Sequence, residues 1–282
     1  MRVGTIGIIG AGTMGSGIAQ VCAGAGLDVI LTDVNDAIVR KGIAAVTRNL
    51  DRLVSRSEIS SADKEAALAR IKGSTSYEAL ASVDVVIEAA TENLEVKRTI
   101  LGMIDPLIGS DTIVASNTSS VSITKLAATI SRPDRFVGMH FFNPVPVMAL
   151  VEIVRGLQTS DATHDTVEAL ATKLGKTPIT VKSSPGFVVD RILLPMLNEA
   201  FFVLAEETAG PAEIDDAMKL GCNHPIGPLA LADLIGLDVL LSVVQTIHDE
   251  FGDPKYRPAP LLKELVAAGY LGRKSGRGVY RY

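Results

Sequence analysis

Thr5-Ile6-Gly7-Ile8-Ile9-Gly10-Ala11-Gly12-Thr13-Met14-Gly15-Ser16-Gly17 reads as strand, tight turn and helix. Ile6 to Ile9 form an apolar run of strand type, and Ile18, Ala19, Val21 and Cys22 then recur at helical spacing over residues 14–25. The three glycines divide the work. Gly10 permits the turn, Gly12 lets a diphosphate approach the backbone with no side chain between, and Gly15 lets the helix pack close on the strand. Thr13 and Met14 stand at the helix amino terminus, where main-chain N–H groups and a partial positive charge meet phosphate. A second strand, residues 29–32, ends on Asp33, about 20 residues beyond the first glycine, where an acid meets a ribose diol. That carboxylate would repel a 2′-phosphate, so NAD is favoured over NADP.

Working outward, the chain has 282 residues, 47% hydrophobic and 21% charged, which suits a well-packed protein of two domains. A net charge of −5 gives no electrostatic case for nucleic acid. Cys22 and Cys222 stand far apart, so both read as small apolar fillers in a reducing, cytoplasmic compartment. No basic segment with a cleavable apolar stretch precedes the glycine turn. The most apolar region, residues 229–244, is interrupted by Asp233 and Asp238 and is too short and polar to span a bilayer.

After Asp33 the pattern turns helical and highly charged over residues 36–72. Val39, Ile43, Val46, Leu50, Leu53 and Val54 make one stripe, and Ser60 with Asp63 caps a second helix. A helical hairpin projecting from the sheet is expected. Strands are then expected over residues 84–90, 112–116, 135–140, 149–154 and 177–181, alternating with helices. The fold class is therefore α/β, a Rossmann-type, doubly wound, mostly parallel sheet with a helical arm. Ligands of such sheets bind beyond the carboxyl ends of the strands, which is where Asp33, residues 91–93 and 117–120, His140 and Asn143 fall.

Alternation stops at Lys182-Ser183-Ser184-Pro185-Gly186. Residues 1–184 are assigned to a dinucleotide-binding domain and 185–282 to an all-helical substrate and dimerisation domain, with helices over 187–207, 211–220, 229–251 and 259–268. Leu193, Leu194, Leu197, Ala200, Phe201 and Leu204 make an apolar face wide enough to cap the crevice and to join two copies.

An alcohol that gives up hydride must also lose a proton, and without a metal the usual acceptor is imidazole. His140 is the candidate base, Glu152 the carboxylate that would orient it, and Ser119 a hydroxyl for the reacting oxygen. A histidine after a strand is equally often a hydrogen-bonded core residue, and spacing leaves both readings open. The four histidines lack the spacing of metal ligands, so no metal is expected.

His140-Phe141-Phe142-Asn143-Pro144-Val145-Pro146-Val147-Met148 with Leu150-Val151-Glu152, preceded by Ala115-Ser116-Asn117-Thr118-Ser119-Ser120, resembles the signature of the L-3-hydroxyacyl-CoA dehydrogenases, especially their single-function bacterial members. The resemblance runs over essentially the whole chain. It implies NAD-linked oxidation of a 3-hydroxyacyl-CoA, first of all the four-carbon 3-hydroxybutyryl-CoA, or the reverse reduction. By matching positions, His140 would be the general base, Glu152 its orienting acid and Ser119 the holder of the hydroxyl. Glu92, Lys97, Asn143 and Lys274 match further cofactor contacts, and Asn49 and Arg56 match positions that meet coenzyme A. The family pattern Pro-Gly-Phe-x-x-Asn-Arg reads here Pro185-Gly186-Phe187-Val188-Val189-Asp190-Arg191, a departure at Asp190, where an ionised carboxylate cannot donate the hydrogen bond that an amide would.

Two other readings share the glycine turn. β-Hydroxyacid dehydrogenases acting on free small acids use a lysine in the first helix of the second domain, and residues 187–207 contain none. A non-catalytic dinucleotide-binding structural protein would have no need to keep His140, Glu152 and Ser119 together.

Overall fold

The glycine stretch folds as β1 (Thr5–Ile9) and α1 (Thr13–Gly24) in the computed structural model, which describes residues 3–282. The rest of the first unit, which ends at Ser183, comprises β2 (Asp28–Thr32), α2 (Asp36–Ser55), α3 (Ser61–Ala69), β3 (Ile71–Ser74), β4 (Val85–Glu88), α4 (Leu94–Ile104), β5 (Ile113–Ser116), α5 (Ile123–Ala127), β6 (Phe136–Phe141), β7 (Leu150–Arg155), α6 (Asp161–Lys173) and β8 (Thr177–Lys182). Among the described residues one sheet runs in the order β3-β2-β1-β4-β5-β6-β7-β8. Pairing is parallel throughout except between β6 and β7, so β7 and β8 run against the other six. That reversal matters. It brings the amino ends of β7 and β8 to the edge where the first six strands end.

The middle strands are buried on both faces, as the unbroken apolar run Val85-Val86-Ile87 requires. Helix α1 lies close over β1 because Gly15 has no side chain; a Cβ there would collide with the Gly10 carbonyl oxygen.

The expected helical hairpin forms, with α2 and α3 packed on each other and on α1. Val46, Leu50 and Ala67 are buried in the core that also holds Ile18 and Cys22, so the apolar stripe of α2 and α3 packs inward while Arg48, Arg52 and Arg56 stay exposed. The segment read as all helix ends in an edge strand, β3. Only one of its four residues, Ile71, is buried. Cys22 is a filler, its thiol pushed up to about 12 by burial, but Cys222 is exposed, contrary to expectation.

The second unit, Ser184–Tyr282, is helical: α7 (Val189–Ala205), α8 (Pro211–Cys222), α9 (Pro228–Ile235), α10 (Leu237–Phe251) and α11 (Pro260–Ala267). The single helix expected over residues 229–251 is broken at Gly236, whose φ of +105° is open to glycine and strained for other residues. Helices α9 and α10 meet there at 99°, and no single described helix is long and apolar enough to cross a membrane. The face assigned to subunit contact is largely consumed within the unit, for Leu194, Leu197, Ala200 and Phe201 are core residues. Exposed apolar side chains stand elsewhere, at Ile192, Leu220 and Leu234.

Candidate active site

The site begins at the turn between β1 and α1. Gly10 has φ +102°, and a Cβ on it would strike the Ala89 carbonyl, whereas a Cβ on Gly12 would meet nothing within 4 Å. Open space therefore lies over Gly12, and no side chain caps α1, which leaves its first turn, with Thr13 and Met14, to a ligand. Asp33 stands beside it at the end of β2. One of its carboxylate oxygens accepts a hydrogen bond from the Ala11 N–H (2.7 Å) and the other from the Val34 N–H (2.7 Å), so its charge is held toward the turn. Gly10, Gly12, Asp33 and Tyr77 line a cavity of about 230 Å³. Tyr77 was not legible in the sequence. It sits on a short 3-10 turn, residues 77–80, and burial, then the charges of Asp33 and Glu88, push its phenol above the ordinary tyrosine range. These residues fit a dinucleotide: a cradle without side chains, a helix terminus for diphosphate, and an acid for a diol.

A second cluster occupies the ends of β4 and β5. Glu92 Oε1 accepts hydrogen bonds from the Ser119 N–H (2.7 Å), the Ser119 hydroxyl (3.0 Å), the Ser120 N–H (3.0 Å) and the Thr118 hydroxyl (2.5 Å). Burial works to raise this carboxyl, but the Lys97 ammonium with the Thr118 and Ser119 donors outweighs it and holds Glu92 below the usual carboxylate range. A depressed folded-state value stabilises the fold above the unfolded value, near 4.3, and the benefit fades as pH falls through the folded one. At neutral pH Glu92 is an ionised acceptor.

Lys97 lies beneath this cluster. It is 1% exposed, and its Nζ lies 2.9 and 2.8 Å from the two oxygens of Glu88 and 3.5 Å from Glu92. Glu88, fully buried, also accepts from the Ser116 hydroxyl (2.7 Å) and the Ala90 N–H (2.8 Å). In the sequence Glu88 reads only as a strand residue, and Ser116 only as part of a strand and of the family signature.

The third cluster depends on strand direction. His140 and Glu152 are twelve residues apart in the chain, but β6 and β7 pair antiparallel with His140 opposite Glu152. Nδ1 of His140 lies 2.7 Å from Glu152 Oε2, with both residues buried. An ionised Glu152 accepts the Nδ1 proton, which fixes the tautomer of the ring. The ring of Phe142 packs 4.5 Å from the imidazole, and Asn143 follows on the exposed loop. Asn117 Oδ1 accepts from the Phe141 N–H (2.8 Å), tying the end of β5 to the end of β6.

Asn49 and Arg56 sit on α2. The Asn49 amide donates to Gln20 on α1 (3.3 Å), and Arg56, at the helix end, makes only a loose contact with Glu58 (3.9 Å). Asp190 and Lys274 belong to the second unit. Asp190 is in the first turn of α7, and Lys274 pairs with Asp238.

The chain is similar to known proteins along its whole length. The family described as 3-hydroxyacyl-CoA dehydrogenase, NAD binding domain, matches residues 5–184, and its C-terminal domain matches residues 186–282. The chain is 48% identical over 277 residues to a 3-hydroxybutyryl-CoA dehydrogenase of Clostridioides difficile, covering 98% of this chain and 99% of that one. It is 50% identical over 277 residues to one of Bradyrhizobium diazoefficiens, covering 98% and 94%. Its structure superposes with a TM-score of 0.97 on the crystal structure of (S)-3-hydroxybutyryl-CoA dehydrogenase from Ralstonia eutropha, at 66% identity and with 100% and 99% of the two chains covered. A diphosphate turn, a buried imidazole–carboxylate pair and full-length matches to both family domains lead to one conclusion: this chain belongs to the 3-hydroxyacyl-CoA dehydrogenase family.

Proposed function

We propose that this protein interconverts L-3-hydroxyacyl-CoA, with 3-hydroxybutyryl-CoA as the first candidate, and the 3-ketoacyl-CoA, using NAD. The observation that carries the reading is the buried 2.7 Å contact between His140 and Glu152 on paired strands. Bound NAD supplies the hydride acceptor for oxidation, held by Gly10, Gly12, Thr13, Met14, Gly15 and Asp33, with Glu92, Asn143 and Lys274 as further contacts. Nε2 of His140 takes the proton of the 3-hydroxyl as C3 gives up hydride, and Glu152 stabilises the imidazolium that forms. In reduction the same nitrogen returns the proton. Ser119 already donates to Glu92, so its oxygen offers lone pairs to the reacting hydroxyl.

Asn49 and Arg56 would meet coenzyme A. An exposed pair such as Arg56–Glu58 is worth little, so the guanidinium can exchange Glu58 for a phosphate through its planar fork. Asp190 in α7 would stand at the family's amide position, and the second unit would join two copies through apolar side chains such as Ile192 and Leu234. The two free cysteines suit a reducing compartment, and the cytoplasm is part of the proposal.

The test is loss of NADH absorbance with acetoacetyl-CoA against free acetoacetate. Turnover of the thioester is expected; turnover of the free acid alone would transfer the protein to the β-hydroxyacid reading, and turnover of neither to a structural role. Asp33→Ala is expected to lower kcat/KM with NADH by about 10- to 100-fold, the worth of a hydrogen bond to a charged group, while NADPH loses less. Equal losses with both nucleotides would remove Asp33 from the ribose. Asp190→Asn, which restores the family amide, is expected to raise turnover or displace the pH–rate curve; a variant matching the parent in both would show that the acid is neutral in effect.

A further inference from the structure

Lys176 lies one residue before β8, and the reversed direction of β7 and β8 puts it at the ligand edge of the sheet. Lysine is almost never fully buried without partners. This one is 8% exposed, and its Nζ donates to the carbonyl oxygens of Val145 (2.5 Å) and Met148 (2.8 Å). Burial pushes the amine below its ordinary range, and the two carbonyl acceptors are what its charged form has to offset that desolvation.

Both carbonyls belong to residues 142–149, the loop that joins the strand of His140 to the strand of Glu152. The Val147 and Met148 N–H groups turn onto the Pro144 oxygen (2.9 and 3.0 Å), while the ammonium draws the Val145 and Met148 carbonyls the other way. Val145 is 2% exposed and rests on α1, for a Cβ at Gly17 would come 2.9 Å from its Cβ. At the start of the loop, Phe142 packs on the His140 ring. One ammonium thus ties down a segment that flanks the imidazole at one end and leans on the helix of the glycine turn in its middle.

We propose that Lys176 is a positioning residue of the dehydrogenase site, whose two hydrogen bonds hold the 142–149 loop so that Phe142 orients His140 and Asn143 faces the cofactor. This rests on the function proposed above. A lysine that only added stability would lower the melting temperature and leave turnover and nucleotide affinity alone. Without the ammonium the buried Val145 carbonyl and the part-buried Met148 carbonyl lose this donor, and the loop moves to satisfy them.

The experiment compares Lys176→Met, which keeps the apolar stem, with Thr112→Val, which removes a buried hydroxyl bond to the Val83 carbonyl at the opposite edge of the sheet. Lys176→Met is expected to lower kcat by about 10- to 100-fold, the cost of a misplacement near 1 Å. It should also raise the NADH dissociation constant and speed hydrogen exchange at Val147 and Met148, with β6 amides unchanged. Thr112→Val should lose thermal stability and keep its kcat and NADH affinity. Parental kcat and NADH affinity in Lys176→Met, or equal losses in Thr112→Val, would overturn the assignment. Should Lys176→Met fail to fold, Lys176→Gln, with a shorter stem, must show the same contrast with Thr112→Val. If the parent protein turns over no acyl-CoA, the proposed function has failed, and the NADH and exchange measurements still decide the role of Lys176.

Discussion

His140→Gln is expected to lower kcat about 10³-fold in both directions, within the range for loss of a general acid–base catalyst, while NADH binds as tightly as to the parent. Glutamine is the informative replacement. Its amide can donate to Glu152 as Nδ1–H does, so the buried carboxylate keeps a donor, yet it cannot take or return a proton at neutral pH. His140→Ala should lose the same turnover and, in addition, about 1–3 kcal/mol of stability, because Glu152 is fully buried and is then deprived of its imidazole. The difference between the two variants separates the proton-transfer role from the packing role. Steady-state turnover with acetoacetyl-CoA, NADH affinity from nucleotide fluorescence, and thermal melts together supply the measurement. Should His140→Gln retain more than about a tenth of parental kcat, well short of a general base's share, some other group moves the proton.

Much of this site could be read from the chain because its first half is local. Strand, glycine turn, helix, strand and acid lie within the first 33 residues, each piece constraining its neighbour, and β1, α1, β2 and Asp33 stand in the order expected. What escaped was non-local or weakly marked. β3 is short and carries Lys72 and Gly73, so nothing in its pattern competes with the preceding helix; its place comes from pairing with β2. Gly236 breaks an apolar run that reads as one helix, because hydrophobic periodicity continues across it and the backbone reversal shows only in its φ. In the site, His140 and Glu152 could be read as a base and its orienting acid, but not the route by which they meet, since their contact depends on β7 reversing direction, and the apolar strands 136–141 and 150–155 carry no mark of direction. Glu88 and Lys176 looked like ordinary charged residues near strand ends. Only the structure shows that both are buried and hydrogen-bonded.

Glu88 bears most directly on stability. Lys97→Met is expected to destabilise the protein by about 3–5 kcal/mol, because it strips the cation from a carboxylate that no water reaches. With a typical stability of about 5–15 kcal/mol, that is a third or more of the total for most domains. Ser116 and the Ala90 N–H remain as neutral donors to Glu88 and cannot replace a charge at 2.8 Å. Glu88→Gln in the same chain should recover most of the loss, since a neutral, hydrogen-bonded amide is far cheaper to bury than an unpaired carboxylate, and the double-mutant cycle then reports a strong coupling. The cycle also settles what Lys97 does for the cofactor. If Lys97 acts from beneath, by neutralising Glu88 and drawing on Glu92, the double variant regains its fold with NADH affinity reduced only as far as Glu92 has shifted. If Lys97 touched the nucleotide itself, stability would return and NADH affinity would not. A loss below about 1 kcal/mol in Lys97→Met, the scale of an exposed pair, would mean that the ammonium reaches solvent and that the two carboxylates above and beside it are held by their serine and backbone donors alone.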